Sequence, residues 1–561
     1  MSGVAISARA VAREERHVVA ELSRRDPGLV DCYRDHVRSA TRIVGERLAS
    51  AAAVEHVALD ELPDAAERRL ANCVAHYALG LLGAQRRRQR LLEQACGHTM
   101  LSWARTRRRT DPDWSVLAFF EQWVIDGHPL HPATKVREPL NAADVLDTSP
   151  EWGTVVPLAV AALAPGVAVE HGALSRLLLA EHPELQCALD EEGLSAGSTT
   201  LLPVHPWQVR NVLADRYGPQ LRSGELRVLN ATIPARPLVS YRTLVPLPTS
   251  RARHPHHLKT SISVRLTNAM RGNSPAAVHN APRVSALLAD VVRAEAGFDG
   301  RLAVLDEPAS ARFAAPGSTA DDATSLSRSA ALSAIARQNP EIGLGPDELL
   351  LPTGALWATS PLTGRPILGE LLDELGSADH FAEAYARVVL PPLLTLLTKY
   401  GVAMEAHGEN TLLALRGGRP VRCVLRDLGG IRIHEERLAG AGFGVDLLPG
   451  NHLFTDDVGE LRNKAFYAQF VNDATQLVAC LGRLTGRSQR DFWRPFALVA
   501  RATFDSLARD ARVRAAAQAD AGALLADPWP YKALLSMWLD GAVTDYTYLP
   551  IRNPLAGLSR A

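Results

Sequence analysis

Cysteine is sparse and scattered. The six present (Cys32, Cys73, Cys96, Cys187, Cys423 and Cys480) form no Cys-x-x-Cys pair, which argues for a reducing compartment and against structural zinc. Net charge is missing as well: 61 Lys and Arg balance 61 Asp and Glu, so the surface as a whole is not built for nucleic acid. No apolar run spans a bilayer; the most apolar stretch, 155–169, is interrupted by Pro157 and Pro165. The opening residues, MSGVAISARAVAREERH, carry acids early and lack an apolar core, unlike a secretory signal. A cytoplasmic protein without membrane or nucleic-acid partners is expected. There is no P-loop, no Gly-x-Gly-x-x-Gly and no internal repeat. One further absence is local. Between Leu226 and Ala289 there is no acidic residue, while nine Arg or Lys stand there: Arg227, Arg236, Arg242, Arg251, Arg253, Lys259, Arg265, Arg271 and Arg283. In a chain of zero net charge, this asymmetry suits a small polyanion. Tyr241 is the only aromatic in the window, too few for stacking on nucleic-acid bases.

What is present is a globular chain of 561 residues with 47% hydrophobic and 22% charged residues, enough for one large or two to three ordinary domains. Residues up to about Glu121 read as helices, with apolar positions at helical spacing in Leu70, Cys73, Val74, Tyr77, Ala78 and Leu81. Two basic clusters there, Arg86–Arg90 and Arg105–Arg109, read as solvated helix faces. The acid-free window has strand character. Leu238–Leu244 alternates, putting Ser240 and Arg242 on one face. Ser261–Thr267 alternates too, with Ile262, Val264 and Leu266 inward and Lys259, Ser263, Arg265 and Thr267 on the other face. His254-Pro255-His256-His257 reads as an exposed loop, and 305–330 as a loop or linker. Residues 460–561 read as helices.

Three polar stretches carry chemistry. In Gly127-His128-Pro129-Leu130-His131-Pro132, followed by Lys135 and Arg137, the prolines exclude a regular helix and stiffen a loop whose His, Lys and Arg suit phosphate or carboxylate oxygens. His205-Pro206-Trp207-Gln208 is a second rigid turn. The third stretch, Glu405 to Asp427, reads as polar residues leading into a β-hairpin that turns at Gly417-Gly418. A turn centred there puts Asn410 opposite Leu425 and brings Glu405, His407, Asn410 and Asp427 together at the open end. Two carboxylates and an amide oxygen suit Mg²⁺, which normally keeps waters and binds substrate phosphates.

These blocks, with Ser240-Tyr241-Arg242-Thr243, Lys259 to Arg271 and Asn553-Pro554-Leu555, stand in an order that resembles the IucA/IucC family of NRPS-independent siderophore synthetases across most of residues 120–555. The chain departs from the family pattern at Glu409, at Glu138-Pro139 and at Thr148–Trp152. The resemblance implies an α+β cupped hand: a helical thumb (1–140), fingers with an antiparallel sheet (141–355) and a mixed α/β palm (356–561), in an enzyme often dimeric. It implies an AMP-forming ligase that adenylates a carboxylate of citrate or a citrate derivative with ATP and Mg²⁺ and condenses it with an amine or alcohol. The other form of that reaction would start from a citryl or succinyl-hydroxamate intermediate. By the same resemblance His131, Lys135, Ser240, Arg242, Thr243, Lys259 and Asn410 contact ATP. Thr267, Arg271 and His407 contact the acyl substrate, and Glu405, Asn410 and Asp427 hold the metal. Two rival readings are a phosphotransferase, because Glu405-x-His407-x-x-Asn410 with Arg426-Asp427 echoes a kinase catalytic loop, and a catalytically silent binder of citrate or a ferric chelate.

Overall fold

The structure, a computed structural model, describes residues 6–59, 62–315, 322–450, 452–543 and 546–558. Five helices open it: α1 (Ala8–Arg25), α2 (Val30–Glu55), α3 (Asp64–Ala95), α4 (Met100–Thr110) and α5 (Val116–Glu121). In α3 the predicted stripe is buried from Leu70 to Ala78. The basic clusters are not simply solvated. The Arg87 guanidinium stacks 4.2 Å over the Trp123 ring and donates to the Gln122 carbonyl. Arg88 donates to the Pro361 carbonyl, Arg105 forks onto Glu374, and Arg108 reaches the carbonyls of Gly345 and Glu348. These long side chains fasten the helices to the rest of the molecule, while Arg90, Arg107 and Arg109 remain exposed.

Twelve strands follow: β1 (Arg137–Glu138), β2 (Val156–Leu163), β3 (Ala168–His171), β4 (Thr200–Val204), β5 (Leu226–Pro237), β6 (Thr243–Pro246), β7 (His257–Thr260), β8 (Ile262–Leu266), β9 (Ala269–Arg271), β10 (Leu302–Val304), β11 (Ala309–Phe313) and β12 (Ser333–Arg337). Eight of them form one antiparallel sheet in the order β3-β11-β12-β7-β6-β5-β2-β4. A small sheet, β1-β8-β9, lies beside it. Four sequence expectations change here. The 305–330 stretch is not a linker: β11 lies inside the large sheet and a helix, Ala323–Ala331, follows; residues 316–321 lie outside the described residues. Leu238–Leu244 is not one strand, because β5 stops at Pro237 and Tyr241 takes a left-handed φ of 71° in the loop before β6. Lys259 and Thr267 do not share a strand face: Ser261 turns to bond Ser333, β7 stays in the large sheet and β8 leaves for the small one. His257 is buried on β7, and His256 pairs with Glu181 rather than standing in an exposed loop. The burial alternation of β8 is as predicted, with Ile262, Val264 and Leu266 inward.

The last part contains β13 (Glu348–Pro352), β14 (Val402–Ala403), β15 (Thr411–Arg416) and β16 (Arg419–Leu425), among helices. The hairpin β15–β16 turns at Gly417-Gly418, both with positive φ, as expected. Its register starts as predicted at Arg416 opposite Arg419, but a bulge beyond Leu415 shifts it by one, so Thr411 faces Leu425. Asn410 therefore lies across from Arg426, whose N–H it accepts at 3.1 Å. The convergence at the open end survives, one residue later. The C-terminal stretch is not all helical: Trp529–Lys532 pairs with Tyr548–Ile551. Helix Ala378–Tyr400 is the one helix among the described residues long and apolar enough to cross a membrane, and 72% of its most apolar window is buried in the protein. It fills the core beneath the hairpin, between the sheet β10-β16-β15-β13 and helix Gln489–Leu507.

Candidate functional site

A cavity of ≈330 Å³ opens where the His-Pro loop, the β5–β6 loop, the β8–β9 hairpin, the 405–410 loop and the C-terminal strand pair meet. Of the twelve residues expected at the site, His131, Lys135, Ser240, Arg242, Thr243, Thr267, Arg271, Glu405, His407, Asn410 and Asp427 line it. Lys259 stands behind the wall and reaches it through Asp427: its Nζ donates to Asp427 Oδ1 at 2.6 Å. Arg337, locked onto Glu307 by two bonds, lies 3.5 Å from the other oxygen. Burial alone would raise the Asp427 pKa, but Lys259 and Arg337 hold it well below the usual carboxylate range. Asp427 holds a left-handed φ of 69°, a conformation uncommon outside glycine and tolerated best by Asp and Asn.

The acid-free window supplies one wall of the cavity. Arg242 Nη1 donates to the carbonyls of Arg271 and Gly272, each at 3.0 Å, and to Asn273 Oδ1 at 2.9 Å. Burial, with Arg271 nearby, lowers its pKa to about 10, so it stays charged. Arg271 is held more loosely: Nη2 lies 3.3 Å from both the Leu266 carbonyl and Thr267 Oγ1, and Nε is buried without a partner among the described residues. Thr267, with φ 57°, turns the β8–β9 hairpin beside it. Tyr241 is buried, stacked against His205 at 5.8 Å and bonded to Thr148. Gln208 is tied to Ser263 through both its amide groups. The His205–Gln208 turn thus frames the two loops and stays out of the cavity lining.

The His-Pro loop closes another side. His131 Nδ1 accepts from the Ala133 N–H, so its Nε2 carries the proton and donates to Asn268 Oδ1 at 2.5 Å. Burial lowers its pKa to about 4, which keeps the ring neutral near pH 7. His128 sits with ring centroids 6.3 Å from His131 and 6.4 Å from His407, and burial holds it neutral too. Lys135 Nζ and Arg137 Nη2 both donate to Glu151 Oε1, at 2.5 and 2.6 Å, with all three side chains buried. Burial alone would raise the Glu151 pKa; the two cations depress it instead. Arg137 Nη1 is left buried without a partner among the described residues.

On the wall formed by the 405–410 loop Glu405 accepts from Lys464 Nζ at 2.7 Å, and His407 Nδ1 accepts from the Glu409 N–H. Burial would raise the Glu405 pKa, and Lys464 with His407 brings it below the ordinary value. A Cβ on Gly430 would collide with the Glu405 carboxylate, so the bare backbone there lets Glu405 lie against the 428–430 turn that follows Asp427. Among the described residues no group of three or more His, Cys, Asp or Glu could hold a metal alone. Two carboxylates and the Asn410 amide suit Mg²⁺ that completes its shell with water and phosphate oxygens.

Sequence reasoning missed two cations. Lys464 and Lys532 both line the cavity beside Tyr546, with Lys532 Nζ 3.5 Å over its ring. Burial and the nearby Lys464 lower the Lys532 pKa to about 7. A signal for them existed. The chain has five lysines among its 61 basic residues; three line the cavity and a fourth, Lys259, holds Asp427. Where arginine supplies nearly all positive charge, a lysine marks a place suited to a compact point charge. Asn268 was also missed: it bonds His131 and, through Nδ2, the Ala542 carbonyl.

Residues 116–358 match the model of the IucA / IucC family, and residues 379–544 that of the ferric iron reductase FhuF-like transporter family. The chain is thus similar to the IucA / IucC family over residues 116–358, with siderophore synthetases among its relatives and structural neighbours. It is 29% identical to the uncharacterized protein y4xN of Sinorhizobium fredii over 78% of this chain and 71% of that one. It is 27% identical to the D-ornithine–citrate ligase of Staphylococcus aureus over 78% and 69%. Two solved structures share the α+β fold. The petrobactin biosynthesis protein AsbB of Bacillus anthracis superposes with a TM-score of 0.73 at 19% identity, over 89% of this chain and 80% of AsbB. ATP-bound aerobactin synthetase IucA of Klebsiella pneumoniae gives 0.70 at 22%, over 92% and 87%.

Proposed function

We propose that this chain is an ATP-dependent siderophore synthetase that activates a carboxylate of citrate, or of a citrate derivative, and joins it to an amine or alcohol with release of AMP and pyrophosphate. The carrying observation is the cavity's charge: six Lys or Arg (Lys135, Arg137, Arg242, Arg271, Lys464 and Lys532) against three carboxylates, in a chain of no net charge. ATP and a tricarboxylate bring about seven negative charges near neutral pH, which cannot sit in contact unshielded. Relatives named as a D-ornithine–citrate ligase and a citryl-spermidine ligase support the substrate class.

In this reading Ser240, Arg242, Thr243, His131 and Lys135 contact the nucleotide, with Lys259 acting through Asp427. Arg271, Thr267 and His407 hold the acid. Glu405, Asn410 and Asp427 would hold Mg²⁺, which supplies charge neutralisation at the phosphates. A carboxylate oxygen attacks the α-phosphorus in line, the bond to pyrophosphate breaks, and an acyl-adenylate remains. The amine or hydroxyl then attacks the acyl carbon, loses its proton, and AMP leaves. Positioning and charge stabilisation carry both steps, and no side-chain nucleophile is required. The same reading has the enzyme working in the cytoplasm as a homodimer, in keeping with six free cysteines.

The test is acid-dependent pyrophosphate release across citrate, citryl monoamides, succinyl derivatives and 2-oxoglutarate, with the nucleotide product identified. AMP with pyrophosphate is expected. ADP would favour a phosphotransferase. Acid binding without nucleotide turnover would favour a silent binder.

A further inference from the structure

Glu121, at the end of α5, and Arg426, just past β16, form a buried ion pair. Arg426 Nη1 donates to Glu121 Oε1 at 2.6 Å, with side chains 3% and 0% exposed. Neither lines the cavity, yet the other side-chain bonds of the two run to its walls among the described residues. Glu121 Oε2 accepts from the Val239 N–H at 3.0 Å, where the loop carrying Ser240 and Arg242 begins. Arg426 Nε and Nη2 both donate to the Glu409 carbonyl, at 3.1 and 2.8 Å, inside the loop carrying His407 and Asn410. Asp427 is the next residue. Gln122 adds a bond from its side chain to the Pro237 carbonyl at 3.3 Å.

We propose that the Glu121–Arg426 pair is a positioning strut: it fixes the separation between the loop assigned to the nucleotide and the loop assigned to the acid and metal. The inference rests on the synthetase reading above. A buried ion pair is a weak source of stability, because an apolar pair of similar volume often does as well. What an apolar pair lacks is direction. A planar guanidinium gripping one carboxylate and one carbonyl holds both at set angles, and the second carboxylate oxygen carries that constraint to Val239. The ligands of an in-line displacement must be held within a fraction of an ångström, since misplacement of about 1 Å costs on the order of a hundredfold in rate.

The experiment compares the parent with Arg426→Lys, Arg426→Met and the double variant Glu121→Met/Arg426→Met. Acid-dependent pyrophosphate release, urea unfolding and backbone hydrogen exchange are measured on each. Arg426→Lys keeps the charge on Glu121 but loses the fork; its kcat should fall at least tenfold, with faster exchange confined to 238–243 and 405–411. The double variant should regain the urea midpoint lost in Arg426→Met while its kcat/KM for ATP stays at least tenfold down. Recovery of both together would show packing alone and overturn the strut. Parental kinetics in Arg426→Lys would overturn it as well, even if the double variant fails to fold. A parent that releases no pyrophosphate with any acid defeats the synthetase reading instead; the exchange pattern then decides the strut, and unchanged exchange in Arg426→Lys refutes it.

Discussion

Arg271→Ala separates binding from folding. In the free protein the Arg271 side chain makes two bonds to the described residues, each long at 3.3 Å, and its Nε is buried with no partner among them. A typical intramolecular hydrogen bond contributes about 0.5–1.5 kcal/mol net. Two long ones fall at the low end, and deleting an unpaired buried donor acts in the opposite direction. The bond that Arg242 makes to residue 271 goes to the backbone carbonyl and survives the substitution. The expected loss of stability is therefore about 1 kcal/mol. If Arg271 pairs with a non-reacting carboxylate of the acid, losing that partner in a desolvated cleft costs about 2–5 kcal/mol, or roughly thirtyfold to several-thousandfold in affinity. The assay is urea unfolding, ATP titration calorimetry and acid-dependent pyrophosphate release on one preparation. Acid-dependent turnover should fall at least tenfold, with ATP affinity and the urea midpoint nearly unchanged. Collapse of ATP affinity with an unmoved constant for the acid would assign Arg271 to the nucleotide. A stability loss above about 3 kcal/mol would show that its contacts are structural.

Asp427→Asn, which suits the left-handed backbone, should abolish most Mg²⁺-dependent turnover, as should Glu405→Ala; full activity of Asp427→Asn in a Mg²⁺ titration would remove it from the metal site. Lys532, with a pKa lowered to about 7 against about 10.4 in the unfolded chain, is protonated only in the unfolded state between those values, so its contribution to stability rises with pH across that window. A polycarboxylate entering the cavity should recharge it. Calorimetry at about pH 8 in buffers of different ionisation enthalpy should show proton uptake on acid binding that Lys532→Met removes; equal uptake in the variant would clear Lys532 of the effect. Glu151→Gln leaves Lys135 and Arg137 buried without a counter-ion and should cost about 3–5 kcal/mol at neutral pH. Because the folded pKa of Glu151 is depressed, its stabilisation is present above the unfolded carboxylate value near 4.3 and is lost as pH falls through the folded one; urea unfolding of parent and variant should converge on acidification, and a neutral-pH difference below about 1 kcal/mol would refute the account.

The parts of the site that were legible in the sequence are those written in local pattern. Gly417-Gly418 fixes a turn, Pro129 and Pro132 fix a loop, and the alternation of Ile262, Val264 and Leu266 fixes a strand face. What was not legible depends on partners far along the chain. The bulge that moves Asn410 opposite Arg426 leaves Val421 unpaired between Pro420 and Arg422; a proline in a strand permits a bulge but does not say which way the register shifts. Val239–Arg242 has the alternation of a strand, yet its first N–H goes to Glu121 and Tyr241 turns left-handed. Lys259 and Thr267 read as one face because nothing local shows that Ser261 bonds Ser333, 72 residues on. Glu151, Lys464 and Lys532 each look ordinary until the fold supplies Arg137, Glu405 and Tyr546.

The order of the large sheet has a consequence for how the chain is made. Strands β2, β4, β5, β6 and β7 can pair among themselves once residue 260 has been synthesised, but β3 (168–171) bonds only β11 (309–313). At about 5–20 residues per second on the ribosome, β3 waits roughly 7–30 s for its partner. For that interval the nascent chain carries one unpaired strand and, at β7, a sheet edge still lacking β12. Exposed edges of this kind template wrong pairing, so slower decoding between residues 171 and 337 should lower the yield of native protein more than the same delay placed after 337.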